Sequence, residues 1–192
     1  PSRKKFQHSK DPLFVARTST FVILIKESKW ERKTKMFELK DIIREGHPTL
    51  RQKAEEVDFP LSPENAKLAQ DLLDYVKNSQ DSEMIERYDL RPGIGIAAPQ
   101  VNVSKRMFAL HIPDDESKLS FVAINPKIIS HSVEKTYISV GEGCLSVDRV
   151  IEGYVPRYAR ITAKGFYPDG REFKLRLIGL AAIAFQHELD HL

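Results

Sequence analysis

The stretch G-L-A-A-I-A-F-Q-H-E-L-D-H-L, residues 179–192, decides how the rest of the chain is read. Leu180, Ile183, Ala184, His187 and His191 recur at helical spacing, so one helix face carries an apolar run that ends in two imidazoles. At i and i+4 these rings stand one above the other and can grip a single metal ion, with Glu188 leaning over the open coordination position. The plain alternative is a pair of histidines hydrogen-bonded in a core. Two His ligands leave a catalytic site incomplete, since three protein ligands and a water are usual. Only Leu192 follows His191, so the third ligand is sought upstream. Asp190 is read as a solvated or supporting group, not a ligand.

Upstream stands Cys144, the single cysteine, in the Gly-rich run G-E-G-C-L-S at 141–146. An isolated cysteine is more often a small buried hydrophobe than a ligand. Beside a waiting two-His pair the balance reverses, and a thiolate completes a Cys/His/His set. No intrachain disulfide is possible, which fits a reducing compartment.

A second Gly-rich run, G-I-G-I-A-A-P-Q at 93–100, admits three readings. The dinucleotide fingerprint fails, because Arg91-Pro92 precedes it where a strand should be and Pro99 interrupts the required helix. An ordinary tight turn is the default for the octapeptide alone. The third reading is an edge that pairs with an extended peptide, with the Gln100 amide able to meet a developing oxyanion.

Around these runs the chain reads as α+β. Ser62 as cap, Pro63 at the first helical position and Leu68, Leu72, Leu73 and Val76 predict a helix over 63–79. Residues 79–91 are polar and read as a surface excursion. Arg106–Ile112, Phe121–Ser130, Val133–Val140, Arg160–Phe166 and Arg171–Ile178 read as strands. Phe173, Leu175 and Leu177 alternate with Lys174 and Arg176, which predicts an antiparallel sheet with one wet face, and Pro168-Asp169-Gly170 reads as a hairpin turn. The chain is expected to end inside its last helix.

With 192 residues, 41% hydrophobic and a net charge of +3, the chain suits one domain with a real core and excludes a disordered or fibrous protein. Residues 1–35 hold 10 Lys/Arg and 3 Asp/Glu, leaving 20 and 24 for residues 36–192. Residues 1–35 are therefore read as a basic extension, poorly ordered or foreign to the domain, or else an arm that touches RNA. Its apolar run Phe21–Ile25 is far below the roughly 20 residues of a membrane span, and no secretory cleavage pattern is visible.

The three motifs G-I-G-I-A-A-P-Q, E-G-C-L-S and Q-H-E-L-D-H stand in the order and spacing of peptide deformylases. Gly46-x-Pro48-x-Leu50-Arg51 is also similar to that family's N-terminal motif. The resemblance covers about 40–192. The excursion at 79–91 and the Cys144–Arg149 continuation resemble the Gram-positive branch. It implies a catalytic domain over 36–192 that lacks its C-terminal end. It implies removal of the formyl group from N-terminal formyl-methionine of nascent polypeptides in the bacterial cytoplasm. It also implies one Fe²⁺ per chain, replaceable by Zn²⁺, Ni²⁺ or Co²⁺, and transient ribosome association without membrane or DNA partners. Cys144, His187 and His191 would hold the metal, and Glu188 would carry the proton. Gln100 and the Leu145 N–H would meet the oxyanion, Gly93 and Gly95 would contact the peptide, and Ile183 and Ala184 would line the methionine pocket. An H-E-x-x-H endopeptidase and a non-enzymatic ribosome- or RNA-associated protein remain as alternatives. The endopeptidase requires a third His or Glu ligand, and none follows the motif.

Overall fold

The computed structural model describes residues 36–113 and 119–192; the basic extension expected over 1–35 lies outside the described residues. Its helices are α1 (Pro63–Asn78), α2 (Ser82–Tyr88) and α3 (Gly179–Asp190). Its strands are β1 (Gly95–Ala97), β2 (Met107–Ile112), β3 (Leu119–His131), β4 (Lys135–Thr136), β5 (Arg157–Tyr158), β6 (Arg160–Phe166) and β7 (Glu172–Ile178). Five of them form an antiparallel sheet in the order β1-β2-β3-β6-β7, and β4 pairs with β5 apart from it. The α+β class with a C-terminal helix against antiparallel sheet is as expected.

Alternation along β1, β2 and β3 divides the core into two layers. On one face Ile96, Met107, Ala109, Val122 and Ile124 pack with Leu68, Ala69, Leu72, Tyr75 and Val76 of α1. On the other, Ala97, Phe108, Leu110 and Ala123 pack with Ala181, Ala182, Ala184 and Phe185 of α3. The Phe108 and Phe185 rings meet edge to face at 5.0 Å. The central strands are thus buried on both sides. The predicted wet face lies on β6, β7 and the second half of β3, where Lys127, Lys164, Lys174 and Arg176 are exposed while Ala163, Phe173 and Leu177 are buried.

Local signals explain the element ends. The Ser62 hydroxyl accepts the Asn65 N–H and Pro63 opens α1. The β6–β7 hairpin turns at Gly170, whose φ of +83° favours glycine. In β3, Asn125 adopts φ +49° at a register shift, and its side-chain amide exchanges two hydrogen bonds with the Val57 backbone, at 2.9 and 2.8 Å.

Three expectations need correction. The strand read over Val133–Val140 is only Lys135–Thr136, because Val133 and Val140 face solvent and the partner β5 is two residues long. The excursion at 79–91 contains α2, capped by Asp81 and packed on the first core layer through Met84, Ile85 and Tyr88. The last helix closes at Asp190, and the Leu192 carbonyl accepts the Ala54 N–H and the Arg106 guanidinium.

Candidate metal centre

Helix α3 presents His187 and His191 one turn apart, and the 141–146 loop brings Cys144 to them. One ligand atom from each of the three lies within 4.8 Å of the others. Cys144 Sγ and His191 Nε2 are 3.5 Å apart. Metal–sulfur and metal–nitrogen bonds of about 2.3 and 2.0–2.1 Å at a tetrahedral angle place the two atoms ~3.5 Å apart. The donor set therefore fits one soft or borderline divalent ion and leaves a fourth position for water.

Burial sets the proton states of the metal-free site. It pushes the Cys144 thiol up, only partly opposed by the Ser146 backbone. It pulls His191 down to about 4, helped by the neighbouring His187, so the ring is neutral and its lone pair available. A metal must accordingly displace the thiol proton.

His187 is oriented from behind. Its Nδ1 lies 2.8 Å from Glu142 Oε2, which directs Nε2 toward the site. Glu142 is in turn gripped by both arms of Arg157, at 2.9 and 2.8 Å, and Arg157 reaches Asp190 at 2.5 Å. Burial alone would raise the Glu142 carboxyl, but Arg157 and His187 outweigh it and hold it below the usual range. Asp190, read as a solvated or supporting group, is largely exposed and accepts from Arg157.

Glu188 is buried, and burial lifts its carboxyl to about 8. Its Oε2 has no hydrogen-bond partner among the described residues. A Cβ at Gly95 would stand 2.3 Å from Glu188 Oε1, so the carboxyl fills the space that only glycine leaves. Beside it Gln100 is fixed by its own carbonyl, which accepts the Ala97 N–H at 2.8 Å. Its amide nitrogen then points to Cys144 Sγ at 3.6 Å and Ser146 Oγ at 3.2 Å. The Leu145 N–H donates to no acceptor among the described residues. The turn that carries it is pinned by Arg44 on the Leu145 carbonyl, by the Glu45 N–H on that of Ser146 and by Arg91 on that of Val147.

These groups open into one cavity of about 330 Å³. Gly93, Gly95, Gln100, Cys144, Leu145, Ile183, Ala184, His187 and Glu188 all line it, so nine of the ten residues singled out in the sequence share one wall. The tenth, His191, completes the ligand triangle. Sequence reasoning missed Glu142 and Arg157. Glu142 stands two residues before Cys144, but Arg157 lies in an unremarkable run, and only the fold brings it to α3.

A family profile described as polypeptide deformylase matches residues 39–192. Peptide deformylase 2 of Geobacillus stearothermophilus is 61% identical over 158 residues, which are 82% of this chain and 86% of that protein. Peptide deformylase 2 of Bacillus subtilis is 53% identical over the same shares. Among solved structures, peptide deformylase of Thermotoga maritima superposes with a TM-score of 0.63 at 31% identity, covering 82% of this chain and 92% of that one. The Met-Ala-Ser-bound peptide deformylase of Acinetobacter baumannii gives 0.63 at 28% identity, covering 79% and 91%.

Proposed function

We infer the function from a premise: the chain belongs to the polypeptide deformylase family, a metal-dependent enzyme family that removes the N-formyl group from nascent polypeptides, and its similarity is to the Gram-positive type. From that premise we propose that Cys144, His187 and His191 hold the metal and that the 330 Å³ cavity takes the formyl-methionyl end of the peptide. The observation that carries this reading is the ligand triangle with a buried carboxyl, Glu188, beside it. When bound, a divalent ion supplies Lewis acidity and lowers the pKa of its water.

The protein's own groups do the rest. Glu188, held protonatable near neutrality by burial, takes a proton and returns it to the leaving amine. Gln100 Nε2 and the Leu145 N–H converge on the charge that builds on the formyl oxygen. Gly95 offers its backbone to the extended peptide, and Ile183 and Ala184 give the methionine side chain an apolar wall. The cation is Fe²⁺, with Zn²⁺, Ni²⁺ or Co²⁺ able to replace it. The domain spans 36–192 and works in the bacterial cytoplasm, associating transiently with the ribosome where its substrate emerges. Of the alternatives, the endopeptidase lacks the His or Glu ligand it requires, since Cys144 occupies that corner of the triangle.

Anaerobic hydrolysis of formyl-Met-Ala-Ser with metal analysis tests this. The wild type releases formate with about one metal per chain; Glu188→Ala keeps the metal and loses activity, and Cys144→Ala loses both. Peptide-bond cleavage that persists in Cys144→Ala would overturn it.

A further inference from the structure

We propose that Gln80, at the start of the 79–91 segment, is a positioning residue for the peptide-binding edge; this rests on the reading of Gly95 as the peptide contact. The argument begins with hydrogen-bond parity in the first two strands. The Ile94 carbonyl accepts the His111 N–H at 2.8 Å. In an antiparallel pair the bonded rungs alternate, so Ile94 and Ile96 turn toward β2 while Gly93, Gly95 and Ala97 turn off the sheet. β1 is the end strand of its sheet, so those three are the groups a peptide could meet.

Two of the three are already engaged. The Ala97 N–H is taken by Gln100 Oε1. At the other end, the Gly93 N–H lies 3.3 Å from Ser79 Oγ, and the Gly93 carbonyl accepts from Gln80 Nε2 at 3.0 Å and from Ser79 Oγ at 3.3 Å. Gln80 Nε2 also donates to the His111 carbonyl at 2.9 Å, so one side-chain amide spans from the lead-in of β1 to β2. It acts as a last rung where the preceding residue, Pro92, has no N–H to give.

Gly95 is therefore left as the single open position, bracketed by Gln100 on one side and Gln80 on the other. Gln80 lines no part of the catalytic cavity and touches no metal ligand. Its effect falls on the register and rigidity of the edge, hence on peptide capture and not on the proton transfers.

The test compares Gln80→Ala and the isosteric Gln80→Glu with wild type in formyl-Met-Ala-Ser kinetics, together with calorimetric binding of Met-Ala-Ser and metal content. Both variants are expected to raise KM about tenfold and weaken Met-Ala-Ser binding in parallel, with kcat within twofold and full metal. Gln80→Glu keeps the volume and removes both donors, so it separates the hydrogen bonds from packing and serves if Gln80→Ala fails to fold. Unchanged KM in Gln80→Glu, or a fall in kcat at constant KM, overturns the proposal. Wild-type protein that releases no formate would instead overturn the functional reading beneath it.

Discussion

Replacing Gly95 by alanine tests the tightest contact in the site. A Cβ there would lie 2.3 Å from Glu188 Oε1, 2.6 Å from Cδ and 2.8 Å from Cγ, whereas ordinary contact begins near 3.4 Å. The carboxyl would have to retreat by about 1.1 Å, the difference between 3.4 and 2.3 Å. It is only 5% exposed, and the space beside it is the cavity it lines, so retreat carries the carboxyl away from its place next to the ligand triangle. Gly95 does not occupy the left-handed region, so the clash alone sets the penalty. Overpacking of this kind costs about 1–3 kcal/mol, and an ångström of misplacement costs about 10²-fold in rate. The expected outcome is a lowered melting temperature and a kcat/KM reduced about a hundredfold, with metal retained. Gly93→Ala is the comparison, because its Cβ would meet the flexible end of Leu145 at 3.4 Å and the Gly95 carbonyl oxygen at 3.6 Å, both ordinary contacts. Adding Glu188→Ala to Gly95→Ala should restore stability, giving a double-mutant coupling opposite in sign to the clash. A Gly95→Ala variant with wild-type melting and kcat/KM within twofold would refute the reasoning.

Glu142→Gln leaves the His187 ring without its anionic partner and Arg157 without its main counter-charge, so metal affinity should fall 10–100-fold; chelator competition that shows no change would count against the network. The thiol of Cys144 is raised by burial and is protonated in the neutral metal-free protein, so binding a metal expels one proton. Apparent affinity should therefore drop about tenfold per unit as pH falls below the thiol pKa. His191 adds a second proton to the linkage only near its value of about 4. A pH-independent metal affinity between 6 and 8 would exclude the thiol as ligand.

Much of the site was legible because its chemistry is written locally. The His187–His191 spacing needs only the helical period, and a lone Cys144 in a Gly-rich loop becomes a candidate ligand once a two-His pair lacks a third. Helix α1 and the β6–β7 hairpin were readable from Ser62-Pro63 and from the alternation of Phe173, Leu175 and Leu177. The errors share a cause. Val133–Val140 has strand-forming residues, but its neighbour β5 is only two residues long and leaves most of them unburied, and strand propensity expresses itself only through such packing. Helix α2 is short and gains its stability from contacts of Met84, Ile85 and Tyr88 with residues far away in the chain. Arg157 was invisible because its role lies in a pairing with Glu142 and Asp190, 15 and 33 residues distant. Gln80 was invisible for the same reason, since its partners are backbone carbonyls that the sheet register assembles.

The bracketed edge at Gly95 also bears on how such a protein stays dispersed. A strand that accepts a foreign backbone, as proposed for this edge, is chemically a template for any extended chain, including an unfolding copy of itself. Here the strand is three residues long with Gly95 alone left open, and it is flanked by Pro92 and Pro99, neither of which can donate to a ladder. It can seat the head of one peptide but has too little length to nucleate a growing intermolecular sheet.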